Sequence, residues 1–247
     1  MKRLMFYKHM ILLVLFLPSV ALADLPAVNP TVRYISLGDS LAAGYKAQPA
    51  TKGFVYRLYL DQVFGSIPET VFANAAVPGA TSDDVLQHQL PQVQRFHPTV
   101  VTLAVGGNDL LTLLGTTPPT PEQVADVLKK FGANFTGILI GLCGQLPDGG
   151  GIFVNDLYEI PSIPGTTQVV PLFNGALDTV VEQVKKVPAC QNKNIGVAEV
   201  HEAFQSRHGL LLIERYEQEG LENTFEIHPT NKGYRVMEEA YRAVIGR

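Results

Sequence analysis

Two segments far apart in the chain carry side chains that could act together on a carbonyl. The first is Ile35-Ser36-Leu37-Gly38-Asp39-Ser40-Leu41-Ala42-Ala43-Gly44-Tyr45. It is an apolar run that ends in Gly-Asp-Ser and continues into small residues suited to opening a helix. A serine at such a strand-to-helix turn presents its hydroxyl at the C-terminal edge of a sheet, beside the first free N–H groups of the helix. Serine is a weak nucleophile unless a base takes its proton during attack. Imidazole is the usual base, because its pKa lies near neutral pH. The second segment, His228-Pro229-Thr230, offers that base. Proline fixes the chain just after the imidazole, and Thr230 can cap a helix that follows. Of the six histidines, His9 lies in a leader-like segment. His88, His97, His201 and His208 read as ordinary surface or packing residues.

Attack by serine on a carbonyl also needs donors for the oxyanion. Val77-Pro78-Gly79-Ala80-Thr81 supplies a glycine N–H unshielded by a side chain, and Val105-Gly106-Gly107-Asn108-Asp109 supplies an amide side chain. Ser40 can add its own N–H. Taken singly, Gly79 could be a plain turn and Asn108 a helix cap. Asp39 and Asp109 read as structural groups that fix their turns.

The elements that must position these residues alternate in type. Strand-like runs are expected at Val32–Leu37, Thr70–Asn74, Thr99–Val105, Gly151–Asp156 and Ile195–Val200. Several are apolar on both faces, as in a parallel sheet covered by helices. Helical patterns are expected at Gly53–Phe64, Ser82–Leu90, Pro121–Leu146, Asn174–Val187 and Thr230–Ile245. Thr120 is placed to cap the third of these, with Pro121 at its first position. The last would turn Tyr234, Met237, Tyr241 and Val244 inward. This alternation makes an α/β protein with a mostly parallel sheet. Ser40, Gly79 and Asn108 then follow three successive strands, at the edge where such sheets bind ligands.

The ordered set resembles the GDSL esterases and lipases of the SGNH hydrolase superfamily. The resemblance rests on Ser40 in Gly38-Asp39-Ser40-Leu41, Gly79 in Asn74-Ala75-Ala76-Val77-Pro78-Gly79, Asn108 in Gly106-Gly107-Asn108-Asp109, and His228 in His228-Pro229, and it extends over about residues 32–246. It implies a three-layer, flavodoxin-like α/β/α domain with a five-stranded parallel sheet. It also implies hydrolysis of esters or thioesters without a metal or other cofactor, with Ser40 and His228 catalytic and Ser40, Gly79 and Asn108 forming the oxyanion hole. One position departs from the family. An aspartate usually stands three residues before the histidine, and here that residue is Phe225. Either Glu226 or a backbone carbonyl near residue 225 would orient the imidazole.

Residues 1–23 read as a signal peptide, with a domain over 24–247. Lys2, Arg3 and Lys8 precede the apolar run Met10–Leu17, and Ala21-Leu22-Ala23 forms a small-x-small cleavage site. An uncleaved anchor is the alternative, against which the shortness of the apolar run weighs. The expected location is the periplasm or the exterior. Removal of the leader takes three basic and no acidic residues, so the net charge falls from −4 to −7. That disfavours nucleic acid or an anionic membrane as a partner. Cys143 and Cys190 either pair in a disulfide or stand as two buried thiols. The sequence carries no metal-ligand spacing.

For substrate, the apolar run Leu110–Leu114 could line an acyl groove with Ala42 and Ala43, or simply face the core. A lysophospholipid, a simple acyl ester or a thioester comes first. The alternatives are polysaccharide O-deacetylation, with Tyr45, Tyr56 and Tyr59 as sugar contacts, and a non-catalytic exported binding protein.

Overall fold

The computed structural model describes residues 32–114, 119–160, 163–205, 207–212 and 227–246. In chain order its main elements are β1 (Val32–Gly38), α1 (Ser40–Ala43), α2 (Phe54–Leu60), β2 (Thr70–Asn74), α3 (Ser82–Asp84), α4 (Leu90–Phe96), β3 (Val100–Ala104), α5 (Gly107–Leu111), α6 (Pro121–Gln145), β4 (Gly151–Asn155), α7 (Thr166–Val184), β5 (Asn194–Ala198), α8 (Val200–Phe204), α9 (His208–Leu211) and α10 (Asn231–Ile245). The strands form one parallel sheet in the order β2-β1-β3-β4-β5. This is the flavodoxin-like order, and its switch point lies between β1 and β3.

Two apolar layers cover the sheet. On one face Phe131, Phe135, Ile138 and Leu142 of α6 pack with Val169, Phe173 and Leu177 of α7. On the other, Phe54 and Leu58 of α2 pack with Tyr234, Met237 and Tyr241 of α10. The helix ends follow from local chemistry. Thr120 accepts the Gln123 N–H in a capping box ahead of Pro121, and Thr230 accepts the Gly233 N–H at the start of α10. Cys143 and Cys190 are joined in a disulfide with Cα atoms 5.0 Å apart, which tethers α6 to the chain just before β5.

Three helices differ from their sequence-based limits. The helix expected over Gly53–Phe64 ends at Leu60, where Asp61 and then left-handed Gln62 turn the chain. The helix expected from Asn174 begins at Thr166 and carries Pro171 within it. Pro171 and Thr167 are both exposed, so the carbonyl that loses its N–H partner faces water and the proline is tolerated. The helix expected over Ser82–Leu90 continues to Phe96 through a π-helical turn at Val85–Gln89, which ends two residues before Pro91. Among the described residues no helix is long and apolar enough to cross a membrane.

Candidate active site

The serine turn is built by backbone constraints at the end of β1. Gly38 has a φ of 128°, and a Cβ there would lie 2.0 Å from the Ala104 carbonyl oxygen of β3. No other residue fits at that separation. Asp39 donates its N–H to the same oxygen at 3.0 Å, and its carboxylate caps α1 by accepting the Leu41 N–H at 2.9 Å. Ser40 is therefore the first residue of α1, buried, with Oγ 2.7 Å from His228 Nε2. That separation is a good hydrogen bond between the atoms that would exchange a proton.

Where β2 ends, β1 is closed by a side chain. Gly38 donates its N–H to Gln89 Oε1 at 2.7 Å, and Gln89 Nε2 donates to the Gly38 carbonyl at 2.8 Å. The Val77 N–H reaches that carbonyl as well, at 3.0 Å. Gln89 is almost wholly buried and ends the π-helical turn. Sequence reasoning missed it. The available signal was a polar residue midway between Val85 and Val93, at the i+4 spacing of a buried stripe.

The other expected residues are distributed around this turn. Asn108 Nδ2 donates to the Ala80 carbonyl at 2.9 Å, which leaves its second N–H for the pocket it lines beside Ser40 and His228. It is not a helix cap, because α5 is entered from Gly106 without a side-chain cap. Gly79 is exposed, has a φ of 85° and lies outside the pocket lining. Its loop is nonetheless tied to the site on both sides, by Val77 to Gly38 and by Ala80 to Asn108. Among the described residues, neither the Ser40 N–H nor the Gly79 N–H donates to any group. The Asp109 carboxylate reaches beyond its own turn. It accepts the Ser82 N–H at 2.8 Å and the Ser82 hydroxyl at 2.6 Å, which fastens α5 to α3.

The loop bearing His228 is held from several directions. The Tyr45 ring meets the imidazole edge-on with centroids 4.7 Å apart, and Tyr45 is itself fixed by the Tyr234 hydroxyl donating to its carbonyl at 2.6 Å. Tyr158 Oη donates to the Ile227 carbonyl at 3.0 Å. Thr230 donates its N–H to the Leu211 carbonyl at 2.7 Å. Phe225, Glu226 and Glu222 lie outside the described residues, as do residues 1–23. Tyr56 and Tyr59 pack against Phe72, away from His228, so only Tyr45 of the three tyrosines adjoins the site.

Burial pushes the Asp39 carboxyl up to about 7, with the charge of Asp109 adding to the effect and the bond from Leu41 opposing it. Asp156, at the end of β4, is likewise pushed up to about 7, chiefly by burial. It accepts the His201 N–H at 2.9 Å, and the His201 ring lies 3.3 Å from Glu159.

Ser40, Asn108 and His228 open on a pocket of about 50 Å³ whose walls are mainly apolar, including Leu110, Leu111, Leu157, Ile160 and Val170. In the Leu110–Leu114 run, Leu110 and Leu111 line the pocket, and Leu110 and Leu113 both belong to the core. Ala42 packs into the opposite layer and lines no part of the pocket.

A sequence model of the GDSL-like lipase/acylhydrolase family matches residues 36–236. No curated protein sequence is significantly similar to the chain. Solved structures are similar in fold. A lipase from a goat rumen metagenome superposes with a TM-score of 0.59 at 21% identity, covering 87% of this chain and 97% of its own. An acetylxylan esterase from Geobacillus stearothermophilus gives 0.61 at 16% identity, covering 89% and 96%. An alpha/beta hydrolase enzyme from the metagenome of Lake Arreo, Spain, gives 0.57 at 16%, covering 88% and 96%.

Proposed function

The chain belongs to the GDSL-like lipase/acylhydrolase family, as a serine hydrolase acting on ester bonds, and from that premise we propose that it removes short acyl groups, foremost O-acetyl groups from a polysaccharide. The observation that carries this reading is the Ser40–His228 pair, 2.7 Å apart at the mouth of a pocket of about 50 Å³. A water-sized group needs roughly 10–15 Å³ by the same kind of measure, so the pocket suits an acyl group of a few heavy atoms. Drug-sized and lipid-sized ligands occupy several hundred. The structural similarity to an acetylxylan esterase points the same way. The apolar lining also suits a longer chain, as in a lysophospholipid, but the volume weighs against it.

In this mechanism His228 Nε2 takes the Ser40 proton as Oγ attacks the ester carbonyl. The oxyanion accepts from the N–H groups of Ser40 and Gly79 and from the second N–H of Asn108. The tetrahedral intermediate collapses and expels the alcohol, which takes the proton from His228. Water then attacks the acyl-enzyme with His228 as base, releasing the acid and restoring Ser40. A backbone carbonyl near residue 225 or the Glu226 carboxylate would orient the imidazole. A binding protein would need none of these groups in register.

The leader-like residues 1–23 and the Cys143–Cys190 disulfide support export to an oxidising compartment. The test is hydrolysis of nitrophenyl esters from two to sixteen carbons, and acetate release from acetylated xylan, with Ser40→Ala as control. Ser40-dependent turnover confined to short esters and acetylated xylan is expected. A preference for long chains supports the lysophospholipid reading, and no Ser40-dependent turnover supports a binding protein.

A further inference from the structure

One wall of the pocket is fastened in an unusual way. β4 ends at Asn155, and Asp156 still donates its N–H to the Ala198 carbonyl of β5 at 3.3 Å, but Leu157 and Ile160 lie beyond the strand pairing. Their backbone groups are taken instead by side chains of α7. Leu157 donates its N–H to Asn174 Oδ1 at 2.9 Å, and Asn174 Nδ2 donates back to the Leu157 carbonyl at 2.9 Å. The Thr166 hydroxyl donates to the Ile160 carbonyl at 2.7 Å and accepts the Ile160 N–H at 3.3 Å. Asn174 is 9% exposed and Thr166 is 0% exposed, so breaking these bonds would strand polar groups away from water. A wall held like this cannot retreat to admit a larger ligand as a surface loop can. Leu157 and Ile160 point into the pocket from it, and Val170 of α7 stands beside them. Between the two pinned residues, Tyr158 reaches across to the carbonyl next to His228.

We propose that Leu157–Ile160 is an acyl-length gauge. Leu157 and Ile160 stop the acyl chain after a few carbons, Asn174 and Thr166 keep that stop rigid, and Tyr158 ties the same segment to the loop carrying the base. The inference rests on the reading that Ser40 is acylated, and it adds the residues that decide which acyl groups are accepted. Chain length is then excluded by shape rather than by weak affinity.

The experiment measures kcat/KM on nitrophenyl acetate, butyrate, hexanoate and octanoate. Leu157→Ala and Ile160→Ala should each raise the hexanoate-to-acetate ratio by roughly tenfold or more, the scale on which an apolar pocket discriminates added methylenes. Thr166→Val should raise it by a smaller factor. Tyr158→Phe should lower kcat on all four esters by a common factor and leave the ratio unchanged, as expected of a positioning residue. Should either alanine variant fail to fold, Leu157→Val and Ile160→Val carry the same test with a smaller shift. Folded variants whose ratios stay within twofold of wild type overturn the gauge while leaving the hydrolase reading intact. Wild type without Ser40-dependent turnover of any ester overturns both.

Discussion

Replacing Gln89 with leucine tests how the nucleophile turn is held. The side chain of Gln89 is buried and spends both ends of its amide on Gly38, two residues before Ser40. In Gln89→Leu the Gly38 carbonyl keeps the Val77 N–H at 3.0 Å, but the Gly38 N–H has no remaining partner. A buried donor left unpaired costs about 1–3 kcal/mol, and leucine regains part of this by burying no polar atoms of its own. The net loss should be about 2 kcal/mol, a fall in Tm of roughly 4–8 °C for a chain of this size. A nucleophile displaced on the scale of an ångström loses on the order of 10²-fold in rate. Urea unfolding and ester hydrolysis measured on the same samples would read both. Gln89→Glu sharpens the test. A protonated glutamic acid can donate to the Gly38 carbonyl, whereas the carboxylate repels it, so this variant should be near wild type at pH 5 and destabilised at pH 8. A Gln89→Leu protein within about 0.5 kcal/mol of wild type would refute the reasoning.

Asn108→Ala should lower kcat by about 10²–10³ while losing only on the order of 1 kcal/mol of stability, because it removes one oxyanion donor and a single part-buried hydrogen bond to Ala80; near-normal turnover would take Asn108 out of the oxyanion hole. The Cys143–Cys190 disulfide closes a loop with a separation of 47 residues, for which chain entropy gives a stabilisation of about 4 kcal/mol. Cys143→Ala with Cys190→Ala should therefore unfold at clearly lower denaturant, and an unchanged midpoint would contradict it. Asp39 is raised from 3.8 to about 7 in the folded chain, so the native state binds its proton more tightly than the unfolded one. Its contribution to stability is full below about pH 4 and is lost as pH rises through 7, by up to on the order of 4 kcal/mol. Asn can still cap α1, so Asp39→Asn should lessen the pH dependence of unfolding over that window, with Asp156, likewise raised to about 7, supplying what remains. A slope equal to that of wild type would show that Asp39 is not the group responsible.

Local chemistry was the legible part of this protein. The five strands were visible as apolar runs, and Thr120-Pro121 and Thr230 marked two helix starts through their caps. Gly38-Asp39-Ser40 announced a strand-to-helix turn because the backbone there demands glycine and a capping oxygen. What stayed hidden depended on partners distant in sequence. The start of α7 at Thr166, ahead of Pro171, was not legible, because nothing local shows that the Thr167 carbonyl orphaned by the proline faces water. Gln89 looked like an ordinary helical polar residue until Gly38, 51 positions away, was placed against it. Asn174 and Thr166 gave no sign of serving Leu157 and Ile160, since that role exists only once α7 lies beside the end of β4. The pocket wall was invisible for the same reason. Leu110 and Leu111 were identifiable as apolar residues near the site, but that Leu110 serves both pocket and core depends on how α5 is rotated in the fold.

The central claim is that Ser40, activated by His228, becomes acylated. The direct measurement is peptide mapping by mass spectrometry after brief exposure to a fluorophosphonate, which phosphonylates activated serines irreversibly with loss of fluoride. The account predicts a single adduct on the peptide containing Ser40. It also predicts labelling at least 10²-fold slower in a folded His228→Ala protein, on the scale of lost general-base catalysis. An adduct on another residue, or equal labelling with and without His228, would contradict it.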